Sequence, residues 1–147
     1  IIMVRCNVKK IFIILVLLLG ITGCNNGCIN SIKYKDLNQL IEDKETFILL
    51  FNDNSDDGKL LKQTLNSVLE ENNLKAYEIN PSKLTDSEKE ALRPIVSYED
   101  VSIVFIKKGV DSSILSHIDD ALTSKNEITA RLSDAGFIKT SSEETSK

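Results

Sequence analysis

Phe47-Ile48-Leu49-Leu50-Phe51 is an unbroken apolar run. A strand with one solvated face alternates apolar and polar residues, whereas a strand covered on both faces is apolar throughout. With Thr46, this run predicts a strand buried on both sides. Such a strand requires a covering layer on each face of its sheet. Val101 to Lys107 (VSIVFIK) predicts a further strand.

The segments around these runs supply the layers. Asp36 can cap a short helix with Leu37, Leu40 and Ile41 on one face. After the polar loop Asn52 to Asp57, a helical stripe of Leu61, Leu65, Val68 and Leu69 runs from Gly58 or Lys59 to about Asn73. Lys75 to Ile79 predicts a strand, Asn80-Pro81 a turn, and Thr85 or Asp86 to Leu92 a short helix closed by Pro94. Lys108-Gly109 predicts a hairpin turn into a strand over Ser112 to Ile118. Ser124 to Ala135 predicts a last helix, with Ile128 and Leu132 inward and Gly136 as the stop. Alternating helices and strands define an α/β class, with a central mixed β-sheet flanked by helices.

The N-terminus points to an address. Arg5, Lys9 and Lys10 precede Ile11 to Leu19, an apolar run of the length of a signal-peptide core. The run is short for a membrane span, which needs roughly 20 apolar residues. Ile21-Thr22-Gly23-Cys24 follows. This tetrad resembles the bacterial lipobox: aliphatic, small, Gly or Ala, then Cys. The resemblance implies a diacylglycerol on Cys24 and cleavage just before it. The expected organisation is therefore a signal peptide over 1–23, a lipidated tether over 24–33, a folded domain over 34–138 and a disordered tail over 139–147. The expected location is the extracytoplasmic face of a cell membrane, lipid-anchored.

Charge narrows the partners. Three of the 18 basic residues lie ahead of Cys24 and none of the 22 acidic ones does, so the body is more acidic than the net −4 of the whole chain. Nucleic-acid binding needs clustered Lys and Arg, and an acidic body argues against it. Cysteine usage narrows the chemistry. Cys6 would leave with the signal and Cys24 would become a thioether, leaving Cys28 in the tether and no intramolecular disulfide.

The order of elements, together with Ser55-Asp56-Asp57-Gly58 at a helix start, Asp100-Val101-Ser102 before a strand, Lys107-Lys108-Gly109 at a hairpin and Gly136-Phe137 at the end of a helix, resembles the thioredoxin-like proteins. The resemblance covers about Tyr34 to Ile138. It implies that Ser55 and Gly58 stand where relatives carry the two cysteines of a Cys-x-x-Cys, and that Val101 stands at the cis-proline position. Thiol–disulfide exchange needs a thiolate, and a serine hydroxyl cannot replace it. Asp56 and Asp57 suit a helix N-terminus but would disfavour a thiolate. Val101 is expected to follow a trans bond, because a non-proline cis bond costs roughly 3 kcal/mol.

Other chemistry finds little support. His117, the only histidine, reads as a surface residue. Counted from Asp53 as an EF-hand loop, position six is Gly58 but position twelve is Thr64, so the bidentate Glu is missing. There is no phosphate loop and no zinc spacing. No metal and no cofactor are expected, and no enzymatic activity. The expected function is a membrane-anchored lipoprotein with a redox-inactive thioredoxin-like domain that binds a peptide or protein partner. Ser55, Asp56, Asp57, Gly58 and Val101 are its candidate groove. The alternatives are an oxidoreductase acting in trans through Cys28, or a surface-exclusion or immunity lipoprotein.

Overall fold

The computed structural model describes residues 28–116 and 124–139. The signal peptide, the lipobox Ile21 to Cys24, His117 and the expected tail from Thr140 onward lie outside the described residues.

Five strands form one mixed sheet: β1 (Ile29–Ser31), β2 (Phe47–Asn52), β3 (Ala76–Ile79), β4 (Val101–Lys107) and β5 (Val110–Ser116), in the order β1-β3-β2-β4-β5. β3 pairs in parallel with β1 and β2, and β4 pairs antiparallel with β2 and β5. β2 is buried at every position, as its apolar run requires.

Among the described residues, four helices cover the sheet: α1 (Tyr34–Glu42), α2 (Asp56–Glu71), α3 (Asp86–Leu92) and α4 (Lys125–Asp134). Side chains alternate across a strand, so β2 feeds two cores. Ile48 and Leu50 pack with Leu61, Leu65 and Leu69 of α2 and with Ile128 and Leu132 of α4. Phe47, Leu49 and Phe51 face the opposite way, toward Leu37 of α1 and Leu92 of α3. Tyr98 closes that second core by stacking on Phe51, with ring centroids 4.3 Å apart.

Helices α2, α3 and α4 start with side-chain capping. Ser55 and Ser124 accept N–H bonds from Gly58 and Glu127. Thr85 and Glu88 form a reciprocal capping box, with Thr85 N–H donating to Glu88 at 2.8 Å and Glu88 N–H to Thr85 at 3.2 Å. The β4–β5 hairpin turns on Lys108 and Gly109, at φ 52° and 75°. Gly109 is required twice over. Its backbone is left-handed, and a Cβ there would lie 2.4 Å from the Ile41 carbonyl oxygen.

The structure departs from the sequence reading at several points. Cys28 and Ile29–Ser31 fall within the expected tether over 24–33, yet Ile29–Ser31 is an edge strand and Cys28 is 1% exposed within the α2-side core. Pairing supplies what local pattern does not. Ala76 N–H donates to the Cys28 carbonyl, and Ile32 N–H to the Glu78 carbonyl, both at 2.9 Å. Helix α2 begins at Asp56, ahead of Gly58, because Ser55 caps it. The turn at Asn80-Pro81 is a 3₁₀ helix over Pro81–Lys83. The last strand starts at Val110, because the tight turn brings it into pairing at once.

Candidate partner-binding face and an adjoining cleft

The link from β2 to α2 is built from short polar side chains that bond their own backbone. Asn52 Oδ1 accepts the Asn54 N–H at 2.9 Å, and Asp53 Oδ1 accepts the Ser55 N–H at 2.9 Å. Asn54 takes a left-handed conformation at φ 65°, which asparagine tolerates. Ser55 then caps α2, accepting the Gly58 N–H at 3.1 Å. The Ser55 side chain, and after it the Ser55 N–H, holds the Asp53 carboxyl below its ordinary pKa of 3.8. Asp56 and Asp57 are exposed in the first turn, where the helix dipole favours them.

Gly58 is buried at the position that the thioredoxin resemblance assigns to a second cysteine. A Cβ there would lie 2.2 Å from Asn52 Oδ1 and 3.1 Å from Asp53 Oδ1. Asn52 is poorly placed to move. It is 1% exposed, and its Nδ2 donates to Glu78 Oε1 at 2.7 Å.

Val101 opens β4 opposite Asn52 and is 9% exposed, packed into the α2-side core. The register therefore brings Val101 next to the loop that carries Ser55, while its side chain is spent on packing. No cis peptide bond occurs among the described residues.

A polar row crosses the carboxyl ends of the three parallel strands. Ser31, Glu78 and Asn52 all face α2. Glu78 accepts from Asn52 Nδ2, from Lys62 Nζ at 2.7 Å and from Ser31 Oγ at 3.3 Å. With three donors, the buried carboxylate is satisfied. Beside this row lies a cleft of about 410 Å³, lined by Ser31, Lys33, Asn54, Lys62, Glu78 and Lys83 among others. A second cavity of about 250 Å³ continues from it past Ile32, Tyr34, Ile79 and Leu84. The sequence reading did not identify this cleft. Its only signal was a glutamate inside the otherwise β-like segment Lys75 to Ile79.

Among the described residues, no group of three or more His, Cys, Asp or Glu side chains could hold a metal ion. No helix among them is long and apolar enough to cross a membrane.

A parallel β-α-β unit followed by an antiparallel hairpin and a helix, with a capped helix start at the end of the central strand, defines the thioredoxin fold. Comparison with solved structures bears this out. A protein with a thioredoxin fold superposes with a TM-score of 0.56 at 13% identity, covering 70% of this chain and 92% of its own. Thioredoxin O2 from Arabidopsis thaliana, in its oxidised state, gives 0.54 at 9% identity, covering 74% and 94%. A poplar thioredoxin h mutant gives 0.54 at 14% identity, covering 81% and 91%. No family model matches the sequence, and no curated protein gives a significant match. At these identities the likeness speaks to the fold alone, and function must be argued from this chain's own residues.

Proposed function

We propose that the chain is a lipoprotein, anchored at the extracytoplasmic face of a membrane through Cys24, whose thioredoxin-like domain binds a peptide or protein partner without thiol–disulfide chemistry. The observation that carries the redox-inactive part is the relation of Gly58 to Asn52. Relatives with the chemistry need a thiol-bearing side chain at that helix position. Here a buried, doubly bonded asparagine fills the space that its first carbon would take. Ser55, at the other position, is committed to capping α2. Burial of Cys28 speaks against catalysis in trans, because an attacking thiolate must reach its target.

The anchor reading rests on the order of charged segment, apolar run and Ile21-Thr22-Gly23-Cys24. The partner-binding reading rests on a retained fold whose exposed helix start carries Asp56 and Asp57 and is followed by Leu60, a leucine that is 48% exposed.

Two experiments test the two parts. Metabolic labelling with palmitate should mark the wild-type protein and not Cys24→Ala, and equal labelling would remove the anchor. Photocrosslinking in living cells, from position 56 and from position 60, should capture one shared partner. The control is position 108, exposed in the hairpin turn at the opposite end of the sheet. The same products from all three positions, or none from 56 and 60, would rule out a binding face at the start of α2.

A further inference from the structure

The cleft beside Glu78 is lined by more basic than acidic residues. Lys33, Lys62 and Lys83 line it, and Glu78 is its only acidic lining residue. Lys62 is spent on Glu78 at 2.7 Å. Lys33 and Lys83 are exposed and form no ion pair among the described residues. Across this cleft and the cavity that adjoins it, three lysines face two glutamates, Glu78 and Glu88, a net positive lining on a chain whose net charge is −4.

The position follows from topology. The cleft sits at the carboxyl ends of β1, β3 and β2. The chain leaves β1 and β3 toward the α1 side of the sheet and leaves β2 toward the α2 side. Adjacent strands whose connections go to opposite faces open a crevice between them, the usual ligand position in open α/β sheets. The N-terminus of α1 borders the same crevice through Lys33 and Tyr34, with Asp36 of the first turn accepting the Lys33 N–H at 3.1 Å.

The shape narrows the ligand class. The cationic part, about 410 Å³, is already within the usual ligand-site range of roughly 300–1,000 Å³. Lys33 and Lys83 also line the second cavity together with Glu88, beside the half-buried Ile32 and Tyr34 and the edges of the buried Ile79 and Leu84. An inorganic anion would use the lysines and leave the half-buried Ile32 and Tyr34 uncovered. A short extended segment with a carboxylate next to an apolar side chain would use both.

We propose that this cleft binds an acidic, apolar-anchored peptide segment, its carboxylates held by Lys33 and Lys83 and its apolar side chains seated on Tyr34 and Leu84. The site goes beyond the partner face at the start of α2. It is a different surface, of opposite charge, and depends neither on the anchor nor on the missing thiols.

The test uses the full chain, isotope-labelled in detergent micelles, titrated with acetyl-Leu-Glu-Leu-Glu-amide. Backbone amide shifts should move at Ser31, Lys33, Asn54 and Lys83, and the affinity should fall as salt rises. The Gln analogue of the peptide should bind at least tenfold more weakly. K33E/K83E should lose binding with an unchanged thermal midpoint. If charge reversal perturbs the fold, K33Q/K83Q should weaken binding by at least fivefold instead. Three results would overturn the proposal: no shifts at these amides at millimolar peptide, equal binding of the Gln analogue, or inorganic phosphate and glutarate saturating the cleft as tightly as the peptide. The last would mark a small-anion site. Crosslinking from positions 56 and 60 is unaffected by any of them, so this site and the α2 face stand or fall separately.

Discussion

Lys62 reaches from the second turn of α2 to the end of β3 and sets its Nζ 2.7 Å from Glu78 Oε2. The pair is asymmetric, with 43% of the lysine side chain exposed against 8% of the glutamate. Removing one partner of a fully buried pair costs roughly 3–5 kcal/mol, because the other charge is left stranded. Lys62 is partly solvated, and Asn52 and Ser31 still donate to the carboxylate, so Lys62→Met should cost less, about 1–3 kcal/mol. Glu78→Gln should cost less again. Urea denaturation of a Lys62→Met, Glu78→Met cycle should give a coupling of at least about 1 kcal/mol. Additive effects would mean the ion pair is incidental.

Gly58 makes a second test. Glycine in a helix is ordinarily improved by alanine, by up to about 1 kcal/mol. Here the added carbon would meet Asn52 Oδ1 at 2.2 Å. Either Asn52 loses its bonds to Asn54 and Glu78 or α2 shifts outward. Gly58→Ala should therefore destabilise the domain by about 1–3 kcal/mol, against the propensity trend. A rise in thermal midpoint would show that the contact relaxes freely, and would reopen position 58 to a cysteine.

Asp53 gives a pH signature. Its carboxyl titrates lower in the folded chain than in the unfolded one, chiefly through the Ser55 side chain and then the Ser55 N–H. A depressed carboxyl pKa adds stability that is complete above the unfolded value near 3.8 and is lost as pH falls through the folded value. Asp53→Asn should lower the thermal midpoint at pH 6 to 7, and the gap to wild type should close below about pH 4. A gap that stays constant down to pH 2 would show that Asp53 acts through packing rather than charge.

Cys28 should behave as a core residue. In a chain whose other two cysteines are replaced, a maleimide should label it only as fast as the domain opens, and urea should accelerate labelling in step with unfolding. Cys28→Ser puts a hydroxyl at a site that is 1% exposed and should cost about 1–3 kcal/mol. Rapid labelling of the folded chain would revive catalysis through this thiol.

What the sequence made legible was what its local chemistry dictates. The apolar run at Phe47 announced a doubly covered strand, and the polar residues Thr85 and Ser124 marked helix starts that the structure caps, whereas the second helix begins two residues before the expected Gly58 because Ser55 caps it. The edge strand Ile29–Ser31 was not legible. It is three residues long, and its order comes from β3, a partner remote in the chain. Glu78 looked like an ordinary strand residue. Its burial makes sense only with Lys62, 16 positions upstream. The cleft was hidden for the same reason, since Lys33 and Lys83 follow two different strands that happen to end side by side. The candidate face was legible as a stretch, Ser55 to Gly58. That Val101 is spent on packing was not, because burial of a strand's first residue depends on what lies across from it.

The start of the edge strand has a consequence for orientation. If Cys24 carries the lipid as proposed, only four chain steps separate it from Cys28, a reach of at most about 14 Å. The first strand would then rise almost directly from the bilayer, and β3 and β2, parallel to it, would rise with it. All three end at the start of α2 and the lysine-flanked crevice. The short stalk would thus act as a compass: headgroups beneath the hairpin turn, and both candidate surfaces presented outward to whatever diffuses past.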